Sequence, residues 1–155
     1  MSKEVAYSAI SASDWLADSA VMTHIVRSRS DFTNYAEELS EIKGISPSAV
    51  LHMWGQGLVH IEFKVGAKIN TIELCDIKHA PDAPNNLISI RHLTDKGNLA
   101  TFNSTSMEFK TQARVIFAQG QKHRWLFCMK AWVTKSGKAR DFAMTAKGRS
   151  WDKWH

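Results

Sequence analysis

The sequence predicts an all-β domain, a small sandwich or barrel with one or two short helices. Apolar and polar residues alternate along residues 57–65, a pattern typical of a strand with one buried face. Beyond residue 98, short β-type segments recur about every ten residues, separated by polar turns. One further stretch, residues 86–97, begins apolar and ends in a glycine, which predicts a strand that leads into a short helix.

The first elements follow from the opening of the chain. Residues 1–13 are small and polar, which is typical of a leader or linker, so we expect ordered structure to begin near Asp14. Trp15, Leu16 and Ala17 then predict a buried strand that ends at Asp18. The strand is followed by Ser19 and Ala20, where we expect a turn.

A hairpin is predicted over residues 57–77. The apolar positions of its first strand alternate with polar ones, and Gly66-Ala67 interrupts the pattern before β-branched residues resume. The segment HAPDAPNN that follows contains two prolines and predicts a loop. NLISIRHLTDKG then predicts the strand and short helix that end at Gly97, and NLATFN, SMEFK, ARVIFAQG and RWLFCM predict four more strands.

The positive charge is confined to the end of the chain. Residues 1–129 contain 13 basic and 13 acidic residues, whereas residues 130–155 contain seven basic residues and two acidic ones, so the net charge of +5 belongs to the end. We therefore predict a barrel domain over residues 14–132 and a basic, flexible tail over residues 133–155. Cys75 and Cys128 lie in apolar runs without metal-ligand spacing, which favours buried free thiols.

Membrane association is not expected. The chain has no apolar run of roughly eighteen residues, the length that a membrane span needs, and its first residues lack the apolar core of a signal peptide. We expect a soluble, intracellular protein.

Asp18 has two interpretations. Aspartate is common in turns because its carboxylate accepts backbone N–H groups. The functional alternative is an aspartic-protease carboxylate, which needs a second carboxylate a few ångströms away to share one proton. The sequence has only one aspartate in this setting, so a symmetric homodimer would have to supply the second.

Three stretches resemble the protease region of copia-type LTR retrotransposon Pol polyproteins. They are WLADSAVMTHI, RSDFTNY and IELCDIKHAPDAPNNLISIRHLTDKGNLATF, and the resemblance extends from about Trp15 to Trp132. It implies a small closed β-barrel of retropepsin-like type whose homodimer forms one active site. It also implies a catalytic role for Asp18, with Ser19 bracing the two copies of the loop.

One position departs from the family's pattern. Its motif has glycine where this chain has Ala20. Glycine leaves room for two loops to approach each other and leaves an N–H free to reach the carboxylate. We therefore expect the added methyl group to weaken or abolish catalysis. The segment MWGQG, with Trp54, Gly55 and Gly57, lies where the family has its substrate-binding flap, and an ordinary exposed turn is the alternative.

No metal or cofactor is expected. His24 fits a hydrogen-bonded structural residue better than a ligand, because a single histidine beside a turn usually has that role. The final residues SWDKWH resemble the start of the family's pre-integrase zinc segment, yet His155 alone cannot hold zinc tetrahedrally. The basic and aromatic tail predicts either a solvated linker or weak contact with nucleic acid.

Two functions from different classes therefore remain open. The first is an aspartic endopeptidase that cleaves a retrotransposon Gag-Pol polyprotein as a homodimer, in a cytoplasmic retrotransposon particle or in the nucleus. The second is a catalytically inactive or domesticated barrel that binds proteins or nucleic acid.

Overall fold

The computed structural model describes residues 10–43 and 50–134. Within them, one α-helix, α1 (Ile90–Asp95), and a single 3-10 turn (Arg29–Asp31) accompany eleven strands, which confirms the all-β class. The strands are β1 (Trp15–Asp18), β2 (Ile25–Val26), β3 (Asn34–Lys43), β4 (Val50–Val65), β5 (Lys68–His79), β6 (Asn86–Ser89), β7 (Leu99–Phe102), β8 (Ser106–Lys110), β9 (Ile116–His123), β10 (Leu126–Met129) and β11 (Ala131–Val133). Nearly all of the predicted tail, from residue 135 onward, lies outside the described residues, as do residues 1–9 of the predicted leader.

The predicted hairpin is present as β4 and β5. Gly66 turns the chain with a φ of +59°, a conformation that glycine adopts without steric cost. The apolar positions Val59, Ile61 and Phe63 are buried, as the alternation predicts. His60 was expected on the polar face and is buried as well. Its burial is tolerated because its Nε2 lies 3.0 Å from the Glu73 carboxylate.

The loop, strand and helix predicted over residues 79–97 are also confirmed. Residues 80–85 form the loop, and β6 leads directly into α1. The helix begins because the Ser89 hydroxyl accepts the His92 N–H at 3.0 Å, an N-cap bond. It ends at Asp95, and Gly97, just beyond the C-cap Lys96, has a φ of +97° that suits a residue after a helix C-terminus.

The strands form one sheet in the order β11-β4-β5-β2-β6-β1-β10-β9-β8-β7, with β3 paired to β4. This hydrogen-bonded order is open, with ends at β11 and β7, so the described strands do not form the closed barrel that the resemblance implies. Lys130 connects β10 directly to β11 along the chain. β10 pairs with β1, whereas β11 pairs with β4. The Lys130 carbonyl accepts the Lys64 N–H at 2.9 Å, so this crossing brings β10 and the β4–β11 end of the sheet together.

That core is apolar and is shared by strands that lie far apart in the sheet. Trp15, Phe63 and Phe109 are its largest fully buried side chains and come from β1, β4 and β8. A smaller cluster of Ile25, Met53, Ala80 and Ala83 lies beside it.

Cys75 departs from its prediction. Both cysteines are free, but Cys75 is exposed and Cys128 is only half-buried. The pairing of β4 with β5 shifts register between Gly57 and Val59, and the β5 residues at that shift are Cys75 and Asp76, with Asp76 at a φ of +59°. This bulge breaks the alternation of the strand and turns both side chains outward.

Candidate functional site

The site is built around the loop that connects β1 to β2, residues 18–24, named here the Asp18 loop. β6 lies between these two consecutive strands, parallel to β1 and antiparallel to β2. Asp18, the last residue of β1, is paired in register with Ser89, the last residue of β6. Because both strands are buried, the start of the loop is fixed to the centre of the sheet.

The Asp18 carboxylate faces its own loop. Its Oδ1 accepts the Ala20 N–H at 2.7 Å, which is the geometry of an Asx turn. Within the described part of the chain, Oδ2 makes no hydrogen bond. Asp18 is half-buried, whereas Ser19 and Ala20 are exposed, so a second molecule has access to the loop.

Ala20 keeps the backbone contact expected of glycine at its position. The described non-glycine residues with positive φ are Asp76, Arg114 and Arg124, so Ala20 has a conformation that L-residues adopt readily. Its N–H reaches the carboxylate despite the methyl group. The remaining cost of alanine is therefore the space that the methyl group occupies.

His24, at the end of the Asp18 loop, is a structural histidine. It is 1% exposed, and its Nδ1 accepts the Ser89 N–H at 2.9 Å. Burial is the main cause that lowers the pKa of His24 to about 3, and the neighbouring His92 and Lys96 contribute to the same shift. The imidazole is therefore neutral at physiological pH, with its proton on Nε2.

His92 lies directly against His24, with ring centroids 4.5 Å apart. Burial lowers its pKa as well, and Lys96 adds to the shift. Two neutral imidazoles alone do not make a metal site. No group of three or more candidate metal ligands occurs among the residues that the structure describes.

The structure places the three predicted flap residues inside a strand, so the alternative of an ordinary exposed turn is wrong for this segment. Trp54, Gly55 and Gly57 lie inside β4, with β3 on one side and β5 on the other. A Cβ on Gly55 would overlap the Tyr35 ring, and one on Gly57 would overlap the Asn34 carbonyl oxygen. Gly55 and Gly57 therefore permit β3 to pack closely against β4. A substrate-binding role for these two glycines and Trp54 stays a prediction.

Trp54 instead borders an open cavity of about 560 Å³ that sequence reasoning missed. The Tyr35 hydroxyl lies 2.9 Å from Nδ1 of His79, and the Arg29 guanidinium stacks over the Tyr35 ring at 3.8 Å. Burial lowers the pKa of His79. No local pattern in the sequence connects these residues, because they come from separate elements.

The described residues thus form an all-β domain with one accessible carboxylate at the end of a buried strand. The family of the Pol polyprotein, beta-barrel domain, matches residues 15–98, just over half of the chain. The chain belongs to this family, which supports an origin in a retrotransposon Pol region. No curated protein and no solved structure matches it.

Membrane insertion through helices has no support in the described residues. None of their helices is long and apolar enough to cross a bilayer.

Proposed function

We propose that this chain is half of a copia-type aspartic endopeptidase, which cleaves a retrotransposon Pol polyprotein as a homodimer. Asp18 from each of two copies shares one proton. One carboxylate takes a proton from water as the water attacks the peptide carbonyl, and the other donates a proton to the carbonyl oxygen. The pair titrates jointly, so neither copy has a fixed role.

The placement of Asp18 is the observation that supports this proposal. Its carboxylate is oriented by the Ala20 N–H and lies at the end of a buried strand fixed by β6. Ser19 and Ala20 beside it are exposed, as a loop that meets a second copy requires.

Dimerisation and cleavage test the proposal together. We expect a solution mass of twice the 17.5 kDa chain, and cleavage of a polyprotein fragment that carries the chain with its flanking Pol sequence. Asp18→Asn keeps the size and the acceptor oxygen but removes the shared proton, so we expect it to dimerise without cleaving. Cleavage that persists in this variant, or a monomer that cleaves, would contradict the mechanism.

The second candidate is a non-catalytic interaction module of the same origin. Large apolar side chains are exposed outside the Asp18 loop: the exposed fraction is 78% for Trp125 and 76% for Leu39. Exposed apolar groups often mark surfaces that bind a partner. The Ala20 methyl group also favours this candidate. A stable monomer that does not cleave in the same assays would support it over the endopeptidase.

A further inference from the structure

We propose that Ser89 and His24 are positioning residues that hold the Asp18 loop in the conformation from which Asp18 acts. This inference rests on the proposed function. Neither side chain contacts the reacting atoms, because both are buried beneath the loop.

Ser89 contacts the Asp18 loop at its start, middle and end. It is the register partner of Asp18 in the sheet. Its hydroxyl donates to the Val21 carbonyl at 2.7 Å, and its N–H donates to Nδ1 of His24 at 2.9 Å. One residue of β6 thus fixes three points of a seven-residue loop.

These bonds are made in the interior, where their loss is costly. Ser89 is 0% exposed, so water cannot replace a missing partner without a rearrangement of the chain. A buried donor left unpaired costs about 1–3 kcal/mol. The Ser89 hydroxyl also accepts the His92 N–H, so α1 is connected to the same point.

The state of His24 indicates that its role is to accept a hydrogen bond. Nδ1 accepts the Ser89 N–H, whereas the buried Nε2 has no partner within the described residues. An apolar side chain would fill the same space without an unpaired nitrogen. The bond to Ser89 is what distinguishes histidine from such a side chain, because it satisfies the backbone N–H at the end of β6.

A matched pair of variants separates this bond from simple packing. In His24→Asn, the side-chain oxygen lies where Nδ1 was and can accept the Ser89 N–H, whereas His24→Leu fills the space without an acceptor. Ser89→Ala removes the bond to Val21 and also the N-cap bond from His92. Asn98→Ala is the control, because it removes a different buried hydrogen bond, the 3.0 Å bond from Asn98 to the Leu93 carbonyl, and leaves the loop untouched.

Amide hydrogen exchange and cleavage kinetics are the two measurements. We expect His24→Leu and Ser89→Ala to speed exchange of the loop amides at least tenfold, and His24→Leu to do the same for the Ser89 amide. In both variants kcat should fall at least tenfold with little change in KM, since misplacement by an ångström can cost roughly a hundredfold in rate. His24→Asn should restore most of the protection, and Asn98→Ala should leave loop exchange and kcat unchanged.

Two outcomes would overturn the proposal. One is unchanged loop exchange in His24→Leu and Ser89→Ala, and the other is faster exchange with unchanged kcat. If the unmodified protein shows no cleavage that depends on Asp18, the proposed function fails instead. Exchange, which needs no substrate, then decides alone whether the two residues hold the loop.

Discussion

Ala20 is the residue whose effect on catalysis can be tested most directly. Its backbone is unstrained and its N–H already reaches Asp18, so only its methyl group separates it from glycine. Extra volume at a packed contact costs about 1–3 kcal/mol. We therefore expect Ala20→Gly to raise kcat/KM for cleavage of the polyprotein fragment by about tenfold to a hundredfold.

The control for Ala20→Gly is the double variant with Asp18→Asn, which should be inactive. If Ala20→Gly cleaves no faster than the unmodified chain, the methyl group does not limit the approach of the two loops.

Two glycines of the β4–β5 hairpin should respond differently to alanine. A Cβ on Gly57 would overlap the Asn34 backbone, and backbone cannot move aside as a side chain can. Gly66 has open space around it and a φ of +59°, so alanine there meets only backbone strain. We expect Gly57→Ala to lower the free energy of unfolding by about 3 kcal/mol or more, and Gly66→Ala by about 1 kcal/mol.

Urea unfolding followed by tryptophan fluorescence measures both changes. Equal losses in the two variants would show that β3 does not pack against Gly57 as described.

His24 should make the fold less stable in mild acid. Its pKa is about 3 in the folded protein and about 6.5 in the unfolded chain. Between these values the unfolded state binds a proton that the folded state does not, so the free energy of unfolding falls as the pH falls through this window. From pH 6.5 to 4.5 we expect a loss of about 2–3 kcal/mol from this group.

The His24→Leu variant isolates that loss. His79 and His92, whose pKa values are also lowered, remain in both proteins, so the difference between the two pH slopes belongs to His24 and its contact with His92. Urea unfolding at pH 6.5 and 4.5 gives each slope. Parallel slopes would mean that His24 binds a proton equally in the folded and unfolded states, so that folding does not lower its pKa.

At the scale of elements, the sequence predicted the strands that have a regular pattern. The β4–β5 hairpin alternates around a turn glycine, and the stretch that contains α1 begins apolar and ends in a glycine. These signals are local, and the tertiary structure agrees with them.

β3 was missed because its residues do not form a typical strand pattern. Its sequence NYAEELSEIK is rich in glutamate, and most of its described side chains are exposed because it pairs only with β4. The exposed turn considered for residues 53–57 is absent for a related reason. Glycines indicate turns in a sequence, but Gly55 and Gly57 are needed for close packing against this unrecognised strand.

The candidate site was predicted only in part. Asp18 and the structural role of His24 have local signals in the sequence. Ser89 has none for its contact with the loop, because its partners His24 and Val21 are 65 and 68 residues away along the chain. Only the insertion of β6 between β1 and β2 brings these residues together, and topology of that kind has no signature in a short stretch of residues.

At the scale of the whole molecule, charge separates the barrel from its C-terminal segment. Residues 1–129 are neutral overall, whereas residues 135–155 carry six basic and two acidic residues together with aromatic side chains. Basic residues bind phosphates and aromatic rings stack on bases, so this segment has the composition of a weak, sequence-independent site for single-stranded nucleic acid. The barrel itself lacks the net charge for such binding.

Salt-dependent binding to single-stranded DNA tests this separation, and the structure fixes where to truncate. Val133 belongs to β11, and the Thr134 N–H donates to the His60 carbonyl, so a chain that ends at Thr134 retains these contacts. We expect the full chain to bind a labelled single-stranded oligonucleotide more weakly as the salt concentration rises. The slope of the logarithm of the binding constant against the logarithm of the salt concentration should be no steeper than about −4, because six basic residues contribute at most about −0.7 each. The truncated chain should bind at least tenfold more weakly, and equal binding by both would place the nucleic-acid contact on the barrel and refute a role for the segment.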